Sequence, residues 1–167
     1  GALLEWDELV RAASAVEKKG SLKVIGIWSH FARADEPGHE FNLQQRETFE
    51  RAVASARSLG INPEVVHLSN SAATINDSDS HFDLIRLGIA MYGLSPDIKT
   101  MGGSLELGLI PALTLRARLH LVKDVPAGSK VGYGGTAETK VDTKLGIVAM
   151  GYADGVPRNA TSEVGVL

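Results

Sequence analysis

Three strand-like runs, Leu22 to Trp28, Glu64 to Ser69 and Leu84 to Met91, alternate with stretches whose apolar residues recur at helical spacing, and nothing else constrains the fold as strongly. Short β-branched runs read as strands covered on both faces, and strands that alternate with helices imply right-handed crossovers and a parallel sheet. Trp6, Leu9, Val10, Ala13 and Val16 share one face of a predicted first helix that stops at Gly20. Phe49, Ala52, Val53, Ala56 and Leu59 form the buried stripe of a second, closed by Gly60 and Asn62-Pro63. At its start, Asn42 with Gln45 three residues on resembles a capping box.

In a parallel α/β sheet, ligand-binding residues gather where the strands end. His30, Ser71 and Gly88 fall at those ends. Ser71 brings a hydroxyl, Gly88 and Ile89 bring backbone N–H groups, and Arg86 brings a fixed cation, so this edge suits a phosphate with an attached ring. Each residue also has a plainer reading. His30 fits a packed or loop histidine, Arg86 a surface charge beside an edge strand, and Ser71 or Thr74 the cap of the next turn.

From Ile98 to Gly108 the pattern dissolves into glycine and small residues, which divides the chain into domains expected at residues 1–108 and 109–167. Beyond it the period changes to two. Ala112 to Val122 alternates as an antiparallel strand with one solvated face, Pro126-Ala127-Gly128 is the turn, Lys130 to Tyr133 starts a second strand and Leu145 to Tyr152 forms a third. Tyr133 alone reads as a strand aromatic with a satisfied hydroxyl.

The net charge of −3 with interspersed signs offers no basic stripe for nucleic acid and no arm for anionic lipid. A small soluble ligand suits it better. With no cysteine there is no disulfide, thiol nucleophile or thiolate metal site, and the five histidines lack metal-binding spacing. Cytoplasm is compatible with this, and no apolar run is long enough to cross a bilayer. Gly1-Ala2-Leu3-Leu4-Glu5, with neither initiator Met nor leader, has the look of a cut end.

Five motifs carry a resemblance: Ser29-His30-Phe31-Ala32 with Ala34-Asp35-Glu36, then Asn70-Ser71-Ala72-Ala73-Thr74, then Arg86-Leu87-Gly88-Ile89-Ala90-Met91-Tyr92-Gly93, then Tyr133-Gly134, then Gly151-Tyr152-Ala153-Asp154-Gly155. In order and spacing they resemble the alanine racemases, over nearly the whole chain. The resemblance implies an α/β fold: the last three βα units of a (β/α)8 TIM-type barrel, followed by the start of a mainly antiparallel β domain. It implies pyridoxal 5′-phosphate as cofactor, a small amino acid as substrate and a homodimer as the parent enzyme. Ser71 and the amides of Gly88 and Ile89 would hold the cofactor phosphate, and Arg86 would face its pyridine nitrogen beside His30. Tyr133 matches one of the family's two bases, offered to the partner subunit's active site. A phenol near pKa 10 needs cationic neighbours for that task, and His30, Arg86 and His67 are the candidates. Asp35, Tyr152 and Arg158 match the family's substrate entrance.

The departures are equally specific. The family's imine-forming lysine lies in an Ala-Val-Val-Lys-Ala-Asn-Ala-Tyr-Gly stretch that these residues lack, and no lysine present has a matching context. Gly132 stands where many members have Ser, and Ser69 where Ala is usual. The expectation is a piece of an alanine racemase that makes D-alanine for peptidoglycan, with little or no catalysis by itself. A serine or broad-specificity racemase and a non-catalytic phosphate-binding or dimerisation module are the alternatives.

Overall fold

A computed structural model of the chain describes residues 5–157. They form two compact units that part between Leu113 and Thr114, and each is described by itself.

The first unit opens with α1 (Trp6–Lys18), whose first turn carries Asp7 and Glu8 and whose last carries Lys18, charges that suit the helix dipole. Gly20, at φ +73°, takes the left-handed turn that stops it. Strand β1 (Gly26–Trp28) follows, then α2 (Glu40–Ser58). The residues that α2 buries are Phe49, Ala52, Val53 and Ala56, the stripe its spacing predicts. Phe49, Val53 and Ala56 pack with Val10, Ile27, Phe31, Ile61, Val66 and Leu68 into one core. Trp6 Nε1 donates to the Ala52 carbonyl at 2.9 Å and fastens α1 to α2.

Strand β2 (Val65–His67) pairs parallel with β1, placing Gly26 opposite Val65, Ile27 opposite Val66 and Trp28 opposite His67. A short helix α3 (Ser71–Asn76) follows, capped by the Asn70 side chain, which accepts from the Ala73 N–H at 3.0 Å. The third predicted strand is not there. Residues 83–88 run beside β2, but the Val66 N–H is taken at 2.8 Å by the Asp83 carboxylate, while the Asp83 N–H goes to the Val66 carbonyl at 3.0 Å. A side chain thus occupies the donor that a strand's carbonyl would need, and Ile89–Tyr92 turns into a 3-10 helix instead of continuing extended.

One further expectation fails in this unit. The N-cap of α2 is His39, whose Nδ1 accepts from the Phe41 N–H at 3.1 Å, so Asn42 and Gln45 form no capping box. They hold the preceding loop: Asn42 Nδ2 donates to the carbonyls of Arg33 and Glu36, and Gln45 Oε1 accepts from the Ala32 N–H at 2.9 Å. The predicted connection contains α4 (Ile98–Met101), capped by Asp97, and the Thr100 hydroxyl donates to the Asp35 carbonyl.

In the second unit, β3 (Leu119–Val125) starts seven residues later than the alternation suggests and pairs antiparallel with β6 (Thr143–Val148). Between them β4 (Lys130–Val131) pairs antiparallel with β5 (Ala137–Glu138). The turn at Gly128, φ +82°, is where Pro126-Ala127-Gly128 predicts it. None of the described residues of this unit is buried.

Candidate functional site

The parallel pairing of β1 with β2 sets their C-terminal ends side by side, and a cleft of about 410 Å³ opens there. His30, Asp35, Ser71, Arg86, Gly88 and Ile89 all line it, with Phe31, Ala32, Asn70, Ala72 and Pro96. Its volume lies in the range usual for small-ligand sites, about 300–1,000 Å³.

Ser71 begins α3 and is buried, facing the strand-like segment opposite. Its Oγ accepts the Gly88 N–H at 2.8 Å and the Ala90 N–H at 3.3 Å. Both lone pairs are therefore engaged, and the hydroxyl proton is what Ser71 has left to offer. The Gly88 amide, which the resemblance places at an anion, donates to this hydroxyl. Ile89 is the first residue of its 3-10 turn, so its N–H lies outside the turn's own bonds.

Arg86 is half-buried and is held at both ends of its guanidinium. Nη2 donates to the Ser29 carbonyl at 2.8 Å, to His30 Nδ1 at 3.1 Å and to the Leu68 carbonyl at 3.2 Å, and Nη1 meets His67 Nδ1. Among the described residues no carboxylate forms an ion pair with it. Burial lowers its pKa from the ordinary value, yet a guanidinium stays charged. A guanidinium can only donate, so the two imidazoles accept at Nδ1 and carry their proton on Nε2. His67 is pushed below the ordinary histidine range, first by burial and then by the Arg86 charge. It is a neutral acceptor here, which corrects the expectation that it supplies positive charge.

Trp28 is a residue that the sequence did not single out, and His67 was expected there only as a source of charge. Their rings stack with centroids 6.0 Å apart and planes 3° apart, and the Arg86 guanidinium carbon lies 5.4 Å from the centre of the indole. Both residues occupy the last position of their strands, opposite each other in the parallel register. Asp35 stands on the loop after β1, and its backbone carbonyl is held by Thr100.

Tyr133 and Tyr152 belong to the second unit. Tyr133 does not extend a strand: it opens a 3-10 turn, Tyr133–Gly135, with positive φ at Gly132, Gly134 and Gly135, and it is 81 % exposed. Three left-handed glycines within four residues cannot continue a ladder. Tyr152 opens another 3-10 turn, Tyr152–Asp154, and Asp154 Oδ2 accepts the Gly151 N–H at 2.8 Å. Arg158 lies outside the described residues. Among the described residues no group of three His, Cys, Asp or Glu side chains is placed to hold a metal ion. No helix described is long and apolar enough to cross a membrane.

The parallel pair with helices packed on it gives the first unit an α/β fold with a cleft at its strand ends, and the second unit is antiparallel β. Comparison with known proteins gives the family. The family described as "Alanine racemase, N-terminal domain" matches residues 1–96, and "Alanine racemase, C-terminal domain" matches residues 112–167. This chain belongs to the alanine racemase family. It is 50 % identical over 163 residues to the alanine racemase of Streptomyces coelicolor, covering 98 % of this chain and 41 % of that one. The Synechocystis alanine racemase is 36 % identical over 162 residues, which is 97 % of this chain and 43 % of the relative. Among solved structures, alanine racemase from the D-cycloserine producer Streptomyces lavendulae superposes with a TM-score of 0.80 at 50 % identity, over 94 % of this chain and 41 % of that one. The biosynthetic enzyme of Pseudomonas aeruginosa gives 0.73 at 35 % identity, over 92 % and 41 %. The chain thus spans about two fifths of the length of the curated relatives it matches.

Proposed function

We propose that this chain is part of a pyridoxal 5′-phosphate-dependent alanine racemase, which interconverts L- and D-alanine and supplies the D-enantiomer for peptidoglycan. The observation that carries the reading is the rim where Ser71, Gly88, Ile89 and Arg86 line one cleft, with Arg86 held by neutral acceptors alone. The residues fit the cofactor. A donor-only hydroxyl and a free amide suit a phosphate ester, and a permanent guanidinium suits an unprotonated ring nitrogen.

When bound, the pyridoxal ring supplies an electron sink for charge developing at the amino acid's α-carbon. Ser71 and Ile89 would hold the phosphate end, and Arg86 would face the ring nitrogen as a donor that gives up no proton, which would keep that sink moderate. His30, accepting from Arg86, fixes the guanidinium plane. Tyr133 presents its phenol as one of two proton-transferring bases, reaching the site of the second subunit in a homodimer. Asp35, Tyr152 and Arg158 line the way in for the amino acid. Residues 1–108 are the closing βα units of the barrel and 109–167 the opening of the β domain, a division that the family boundaries at 96 and 112 support. The parent enzyme works in the cytoplasm. The imine-forming lysine of the family has no counterpart in these 167 residues, so the chain alone is catalytically incomplete.

Equilibrium dialysis against pyridoxal 5′-phosphate and against pyridoxal tests this. The phosphate ester is expected to bind about tenfold or more tightly, a difference of about 1.4 kcal/mol, with borohydride fixing no lysine stoichiometrically. Equal binding of the two would refute the phosphate site, and full attachment to one lysine of this chain would refute the reading of the absent one.

A further inference from the structure

We infer that Trp28 is a positioning residue for Arg86 and His67, an indole wall that fixes where the guanidinium and the imidazole stand. The relevance to a bound cofactor rests on the function proposed above; the positioning itself does not.

Trp28 lies outside the cluster of buried residues that forms the core of the first unit. Its faces are nevertheless used. In the parallel register Trp28 sits opposite His67, and the two rings stack with nearly parallel planes, 3° apart, at 6.0 Å between centroids. The Arg86 guanidinium carbon approaches the indole to 5.4 Å, within the range where a cation is attracted to an aromatic quadrupole.

Arg86 needs such a partner. Its hydrogen bonds run to the carbonyls of Ser29 and Leu68 and to the Nδ1 atoms of His30 and His67. Among the described residues Arg86, from the segment after Phe82, is the charged group that acts on His67, and His30, from the exit of β1, bonds the same guanidinium. No carboxylate pairs with Arg86 among the described residues, so dipoles and a π face alone oppose its escape to water. Without the indole, one side of the guanidinium opens to solvent and the imidazole loses the ring it stacks against.

The test uses the 167-residue chain with Trp28→Leu and Trp28→Phe. Nitrogen-detected NMR follows the titration of the His67 ring, mass spectrometry follows the rate at which phenylglyoxal modifies Arg86, and circular dichroism checks the fold. In Trp28→Leu, His67 is expected to titrate nearer a free imidazole and Arg86 to react several-fold faster. Trp28→Phe, which keeps a π face, is expected to restore both toward the parent. An intact Trp28→Leu fold with both readouts unchanged overturns the inference, as does failure of Phe to rescue a change. Should Leu disturb the fold, Trp28→Met, with similar reach but no ring, answers the same question with the same two readouts. A parent chain that binds no pyridoxal 5′-phosphate would sink the proposed function and leave these measurements standing.

Discussion

Replacing Ser71 by alanine separates the two jobs given to its hydroxyl. The side chain accepts the Gly88 and Ala90 N–H groups and has one proton left for the cleft. Gly88 is exposed and Ala90 half-buried, so water can take over both amides in the variant. The loss of stability should be modest, about 1–2 kcal/mol for two neutral hydrogen bonds exchanged for hydration. The loss at the ligand is larger for its size, because a hydrogen bond to a charged phosphate contributes about 1.5–3 kcal/mol, or roughly 10- to 150-fold in affinity. Pyridoxal, which lacks the phosphate, should feel almost none of this. Titration calorimetry of both ligands against both proteins therefore has an internal control: Ser71→Ala weakens pyridoxal 5′-phosphate within that range and leaves pyridoxal within about twofold. Equal weakening of both ligands, or of neither, would refute the assignment of the phosphate to this rim.

Two further outcomes follow from the geometry. A Cβ at Gly93 would stand 1.9 Å from the Ile110 carbonyl oxygen and 2.5 Å from the Pro111 nitrogen, with φ at +76°. Gly93→Ala should lose about 2–5 kcal/mol, combining about 1–2 for handedness with about 1–3 for overlap against backbone; a urea midpoint equal to the parent's would contradict the close approach. The second concerns pH. His67 is held below its unfolded value, so on the acid side of neutrality the unfolded chain binds more protons than the native one. The contribution of His67 to stability is full above about pH 6.5, falls as pH drops through its depressed native value, and then levels off. The lowered carboxyls of Glu36, Glu64 and Asp97 act only further down, below the ordinary carboxylate range. Urea midpoints between pH 7 and pH 5 should therefore fall for the parent and flatten for His67→Gln; parallel curves would count against the neutral imidazole.

The helices were legible because their information is local. The stripe from Phe49 to Ala56 needs only a 3.6-residue period and a face to bury. The third strand was misread because its fate depends on a contact seventeen residues away, where the Asp83 carboxylate takes the Val66 donor. Asn42 and Gln45 have the spacing of a capping box but bond the loop before the helix, and the chain supplies no local sign of that choice. At the cleft, the strand-end rule brought out His30, Ser71, Arg86 and Gly88, since it reads only where strands stop. Trp28 and His67 escaped it because they lie one and three residues inward of those exits, and their partnership exists only once the parallel register is set. The fully buried Ser69 was visible only as a departure from the family pattern. In the structure its Oγ lies 2.7 Å from both the carbonyl and the hydroxyl of Ser80, which gives a polar residue in the interior a reason to be there.

The wetness of the second unit has a consequence of its own. Two antiparallel strands whose described side chains all retain contact with solvent gain little from desolvation, and a ribbon of that kind is marginal on its own. Amide protons of β3 and β6 should then exchange with deuterium far sooner than those of Val66 and Leu68, which sit in a dry interior. Order in this ribbon depends on whatever sheathes it.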